Sequence, residues 1–192
     1  MNQSYLIGID IGTSACKVAL FDRSGCVLAA ANGDYPVYYP KEGWAEQNPE
    51  EWWSAVCGAV RQVIEEASVA PEEIAGVGID GQSWSAIAID RNGHVLTNTP
   101  IWMDTRAQSI CDRLNEEIGA EAIFEVAGNS LQPSYATAKI LWYKENLPEV
   151  YAKIDKILQS NSFIAFKLTG AVSQDLSQGY GLHCFDMRTG KW

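Results

Sequence analysis

Three short clusters in the first part of the chain carry residues able to do chemistry. The first is Gly8-Ile9-Asp10-Ile11-Gly12-Thr13-Ser14, with Lys17 just beyond. A phosphate needs N–H donors at close range. A tight turn containing Gly12 lets the backbone approach one, and Thr13 and Ser14 add hydroxyl donors. Asp10 can hold, through water, the Mg²⁺ that accompanies ATP. The same letters also make a good turn with no ligand at all.

The second cluster is Asp80-Gly81-Gln82-Ser83-Trp84-Ser85, directly after an apolar run at Ile74–Ile79. The C-terminal end of such a strand is where open α/β sheets bind ligands. Gln82 and Ser83 can hydrogen-bond hydroxyls, and the Trp84 ring can cover the apolar face of a sugar or serve as core. The third is Pro100-Ile101-Trp102-Met103-Asp104-Thr105-Arg106. Asp104 is placed to cap a helix, while Trp102 can stack on a sugar whose hydroxyls meet Asp104 or Arg106. An aspartic protease also uses an Asp-x-Gly-[Ser/Thr] turn. It needs two carboxylates sharing a proton, however, and this chain has one such turn, with Ile11 where a hydroxyl residue is usual.

These clusters need a frame. Apolar runs Tyr5–Ile9, Ala15–Phe21 and Cys26–Ala31, separated by turn-forming residues, predict a β-meander. Asn48-Pro49 predicts a helix start, with Glu51 completing a box-like Asn-x-x-Glu and an apolar stripe of Trp52, Val56, Val60, Val63, Ile64 and Ala67. Ile74–Ile79 reads as a strand, and Ser85–Ile89 as one arm of a hairpin turning at Arg91-Asn92-Gly93 into Val95-Leu96. From Thr105 to about Leu168 the pattern is mostly helical, with breaks at Gly119, Gly128, Pro133 and Pro148. Strands on both sides of a helix imply an α/β layer fold.

The 192 residues, 47% of them hydrophobic, suffice for one domain with a real core. A formal charge of −10 argues against a nucleic-acid partner, which selects a basic surface. Five scattered cysteines with no Cys-x-x-Cys pair read as reduced cytosolic thiols, giving a cytoplasmic expectation. The start has no basic leader, and Tyr5–Ile9 is too short to span a membrane.

Taken in order, the residues resemble the FGGY family of carbohydrate kinases, and its xylulokinase-type members most. The matching blocks are Gly8–Lys17, Gly43–Trp53, Gly76–Asp90 and Ile101–Arg106, with weaker matches at Ala138–Trp142, Asp175, Ser177, Phe185–Arg188 and Trp192. The resemblance implies a ribonuclease-H-like, actin-related α/β domain with a mixed sheet, the N-terminal half of a two-domain kinase whose C-terminal domain is absent from residues 1–192. It implies ATP and Mg²⁺ as cofactors, with Asp10 important for activity and Gly12, Thr13, Ser14 and Lys17 at the phosphates. The sugar, a pentulose such as xylulose, would meet Gln82, Ser83, Trp84, Trp102, Asp104 and Arg106. A homodimer is compatible with such kinases.

Two departures stand out. Xylulokinases usually carry Met-His where this chain has Ser83-Trp84. The Asp that takes the hydroxyl proton lies, in the family, further along than residue 192, so this chain alone is expected to be inactive. The rival readings are a non-catalytic sugar-binding or interaction module with an actin-like half-fold, and an actin-like ATPase such as a chaperone. The Gly43–Trp53 and Ile101–Arg106 blocks speak against the latter.

Overall fold

Alternation of apolar and polar residues decides the first three strands. In the computed structural model, which describes residues 4–192, β1 (Tyr5–Ile11) buries Ile7, Ile9 and Ile11. From β2 (Ala15–Phe21) Cys16, Val18 and Leu20 join them, and from β3 (Val27–Asp34) Ala29 and Ala31. With a period of two, all of these fall on one face. The strands pair antiparallel in sequence order, as the meander reading expects.

After a short strand β4 (Glu46–Gln47), helix α1 (Pro49–Ala67) lies across that apolar face. The Asn48 side chain caps it by accepting from the Glu50 N–H at 3.0 Å, and Pro49 occupies the first turn. The buried stripe is Trp52, Val56, Ala59 and Val63, with Val60, Ile64 and Ala67 half-buried on its flank. The expected capping box does not close, because the Glu51 carboxylate instead accepts the Tyr38 hydroxyl at 2.8 Å.

The chain then returns as β5 (Ile74–Gly81), parallel to β1, giving the order β3-β2-β1-β5. This register sets Asp10 opposite Asp80 and Ile11 opposite Gly81. The ends of β1 and β5 therefore deliver the first two chemical clusters side by side.

Strand β6 (Ile87–Ile89) follows, then β7 (Thr99–Pro100), which pairs with β4. The turn expected at Arg91–Gly93 forms, with Asp90 Oδ1 accepting the Asn92 and His94 N–H groups at 2.8 and 2.9 Å. The hairpin it was to close is reduced to one bridge between Ile89 and Val95. The regular partner of β6 is β8 (Lys156–Leu158), a three-residue strand inside the stretch expected to be mostly helical. The remainder of that stretch is α2 (Gln108–Leu114), a π-helical turn at Asn115–Gly119, α3 (Ala120–Ala127), α4 (Ala136–Asn146), α5 (Pro148–Tyr151) and α6 (Ser160–Thr169). Each expected break falls at a helix boundary or in a connection.

Two hydrophobic cores result. One lies between the sheet, α1 and α6; the other is built by α2, α3 and α4. Strand β6 separates them, sending Ile87 and Ile89 into the first while Ala88, with Ala86 just before it, enters the second. The opposite face of the main sheet is open among the described residues. Gly8, Asp10, Lys17, Phe21, Asn32 and Gly78 line a concavity of about 620 Å³ there. No described helix is long and apolar enough to cross a membrane.

Candidate functional site

The turn joining β1 to β2 is held from behind by its carbonyls. The Gly12 N–H donates to the Ala15 carbonyl at 3.0 Å, and a Cβ at Gly12 would come within 2.8 Å of that same oxygen, so the turn admits only glycine without shifting. The Gly12 carbonyl accepts the Tyr35 hydroxyl at 2.7 Å and Gln82 Nε2 at 3.3 Å; the Thr13 carbonyl accepts Gln47 Nε2 at 2.9 Å. Burial, reinforced by nearby Cys16 and Asp10, pushes the Tyr35 phenol far up, so it stays a donor. No described residue accepts from the N–H groups of Thr13 or Ser14. A turn with its carbonyls engaged and the Thr13 and Ser14 N–H groups free fits an anion. Asp10 and Lys17 stand opposite each other in the β1–β2 register, lining the concavity on the open face, and among the described residues neither side chain has a hydrogen-bond partner.

Buried Gln47 ties this turn to the next cluster. Besides Thr13 it donates to the Pro36 carbonyl at 3.1 Å, and its Oε1 accepts from Gln82 Nε2 at 2.9 Å. Gln82 extends the β1–β5 pairing through its N–H to the Ile11 carbonyl at 2.7 Å, and its own carbonyl takes the Ser160 hydroxyl at 2.6 Å. Gln82 Oε1 is buried with no donor among the described residues, an acceptor suited to a ligand hydroxyl. The Ser83 hydroxyl likewise has no partner among them.

Trp84 sits at φ +68°, a left-handed conformation that costs a bulky residue about 1–3 kcal/mol and persists only when its surroundings enforce it. They do so from three sides. The Tyr135 ring meets the indole edge-on at 4.6 Å between centroids, and the Lys139 ammonium donates to the Trp84 carbonyl at 2.8 Å. Gly181 lies against the indole so closely that a Cβ there would be 2.3 Å from Cδ1. Tyr180 and His183 complete an aromatic group around Tyr135.

The third cluster divides in two. Trp102 is 44% exposed, and its indole N–H donates to the Thr13 hydroxyl at 3.1 Å. Asp104, in contrast, is 1% exposed, and both its oxygens are occupied. They accept the Ala45 N–H at 2.7 Å, the Arg106 N–H at 2.9 Å and the Arg106 guanidinium at 2.8–2.9 Å. Arg106 reaches Glu46 at 2.9 Å as well, and its guanidinium lies 3.8 Å from the centroid of the Trp44 ring. This is a paired, hydrogen-bonded and stacked cation, the arrangement that makes a buried charge tolerable.

Gly12, Thr13, Gln82 and Trp102 thus form one linked group, with Asp10 and Lys17 beside it on the sheet. Asp104 and Arg106 lie one layer deeper. Sequence reasoning missed Gln47, Tyr35, Tyr135 and Lys139. The available signals were slight: Gln47 lies in the Gly43–Trp53 block and Lys139 in the Ala138–Trp142 match.

Residues 5–192 match the model of the FGGY family of carbohydrate kinases, N-terminal domain. The xylulose kinase of Bacillus subtilis (strain 168) is 31% identical over 188 residues, covering 98% of this chain and 38% of that protein. A glycerol kinase of Mycoplasma pneumoniae is 31% identical over 200 residues, covering 100% and 39%. The crystal structure of a xyloylose kinase from Brucella ovis superposes with a TM-score of 0.90 at 29% identity, over 98% of this chain and 38% of that one. The expected ribonuclease-H-like, actin-like α/β fold with a mixed sheet is borne out by this agreement. The chain therefore spans well under half the length of the curated relatives it matches, and it belongs to the FGGY family of carbohydrate kinases, with residues 5–192 corresponding to that family's N-terminal domain.

Proposed function

We propose that the full-length protein transfers the γ-phosphoryl group of MgATP to a hydroxyl of a sugar, a pentulose such as xylulose. The observation that carries this reading is the bond between Trp102 and Thr13, which puts an exposed aromatic face, suited to a sugar ring, against an anion-ready turn. The xylulose kinases among the relatives support the choice of sugar.

In this reading Thr13 and Ser14 hold the terminal phosphates through backbone N–H and hydroxyl donors, Gly12 makes the tight turn that lets the phosphates approach, and Lys17 adds charge. Asp10 holds Mg²⁺ through water; among the described residues no group of three or more His, Cys, Asp or Glu could bind a metal directly. Gln82 and Ser83 orient sugar hydroxyls and Trp84 and Trp102 cover apolar faces, while Asp104 and Arg106 border the pocket from beneath. The acceptor hydroxyl loses its proton to an Asp beyond residue 192, its oxygen bonds to the γ-phosphorus, and the bond to the bridging oxygen breaks, leaving ADP. Positioning and charge stabilisation carry such a reaction, and water must be kept out. Residues 1–192 alone supply one wall of the cleft and are inactive in this reading.

The test is ADP release from MgATP over a panel of pentuloses, hexuloses and polyols, using full-length protein and residues 1–192. Sugar-dependent turnover by the full-length protein, lost in Asp10→Asn, is the expected result. Silence from a folded full-length protein with every acceptor would instead favour a non-catalytic binding module.

A further inference from the structure

Lys139 carries no role in the reading above, yet it is 0% exposed. It projects from α4 between the two cores and donates to two backbone carbonyls, Trp84 at 2.8 Å and Ile101 at 2.8 Å. These are not arbitrary carbonyls. One belongs to the strained residue of the second cluster, the other to the residue just before Trp102. One helical turn later, Tyr143 donates its hydroxyl to the Ala86 carbonyl at 3.0 Å, so the same face of α4 grips the 84–86 segment twice.

No carboxylate accepts from Lys139; Asp104 and Arg106 act on it only through space, with opposite signs. Burying an ammonium against neutral acceptors is an expensive way to fill space, since an apolar side chain of similar volume usually fills a core at least as well. Burial accordingly drives its pKa down from 10.5 to about 7. The cost has a counterpart in what the two bonds do. They tie together loops from separate parts of the sequence and fix the carbonyl of a residue whose φ +68° must be enforced.

We propose that Lys139 is a positioning residue for the acceptor sugar: its Nζ clamps the Trp84 and Ile101 carbonyls and so sets the spacing of the two aromatic walls, Trp84 and Trp102. This rests on the kinase reading for its substrate. A clamp on the walls affects sugar binding and leaves the phosphate turn, held by Tyr35, Gln47 and Gln82, in place.

The test compares Lys139→Met, which keeps the length and removes the donors, with Lys139→Gln, which keeps two N–H donors on a shorter reach, both in full-length protein. Lys139→Met is expected to raise the sugar KM about tenfold to hundredfold with the MgATP KM little changed, and Lys139→Gln to recover part of it. Hydrogen exchange supplies a readout that needs no turnover: amides of residues 82–86 and 101–104 should exchange faster in Lys139→Met, with β1 and β2 unchanged. An unchanged sugar KM together with unchanged exchange in those loops overturns the proposal. So does equal weakening of both substrates, or failure of both variants to fold, which would make Lys139 a requirement of the core. If wild type phosphorylates no acceptor, the kinase reading fails, and the exchange pattern still decides whether the clamp exists.

Discussion

The indole N–H of Trp102 reaches the hydroxyl of Thr13 at 3.1 Å across 89 positions of sequence. It couples the loop after β7 to the turn after β1, the parts proposed to meet the sugar and the phosphates. Thr13→Val removes the acceptor with the shape kept, and Trp102→Phe removes the donor while keeping an aromatic ring. In a double-mutant cycle on full-length protein the pair should show a coupling of about 0.5–1.5 kcal/mol, read from kcat/KM for the sugar. Additivity would show that the bond does no work in catalysis.

Gly181 should tolerate no side chain while Trp84 is present. Gly181→Ala is expected to destabilise the full-length protein by about 1–3 kcal/mol in urea unfolding, because its Cβ overlaps the indole. In a Trp84→Ala background the same change should cost little.

Asp104→Ala leaves the Arg106 guanidinium with Glu46 as its one acidic partner and frees the Ala45 N–H. Breaking a buried pair from one side costs about 3–5 kcal/mol. A clear fall in thermal midpoint is the expected outcome, whereas Arg113, whose pairing with Glu145 is half-exposed, should change to Ala at a cost of about 1 kcal/mol or less.

Lys139 makes stability depend on pH in a defined direction. Its pKa is about 7 folded against an ordinary 10.5, with burial the main cause, Asp104 raising it and Arg106 lowering it. Between those values the unfolded chain holds a proton that the folded protein does not, so this group's contribution to stability rises with pH from about 7 to 10.5. Thermal midpoints of wild type and Lys139→Met, compared at each pH, should separate progressively in favour of wild type across that window. The buried thiols of Cys16 and Cys111, whose pKa values burial raises, act in the opposite direction but equally in both proteins.

Elements whose residues announce their own geometry were legible in the sequence. The alternation in Tyr5–Phe21 gave two strands and the turn between them, and Asn48-Pro49 marked the start of α1 to the residue. What escaped depends on distant partners. Lys156–Leu158 is too short to show a period and becomes a strand because β6 offers it a partner, while Val95 keeps a bridge to Ile89. Helix α4 blurs its own apolar stripe by burying Lys139 and Tyr143, whose hydrogen-bond acceptors lie 38 to 57 positions away. Among the site residues, Gly12, Thr13, Gln82 and Trp102 could be picked out by type and spacing. That Asp104 and Arg106 satisfy each other could not, since a side chain's partner is set by packing that one dimension does not show.

Strand β6 belongs to both cores at once. Its isoleucines belong to the sheet's core and its neighbouring alanines to the helical one, so peeling it from either side lays both open to water. Such a shared wall leaves no seam along which one half can melt while the other survives. Residues 4–192 should therefore lose their structure in a single cooperative step, and a cavity cut at Ile87 should weaken the helices around Trp142 as much as the strands beneath α1.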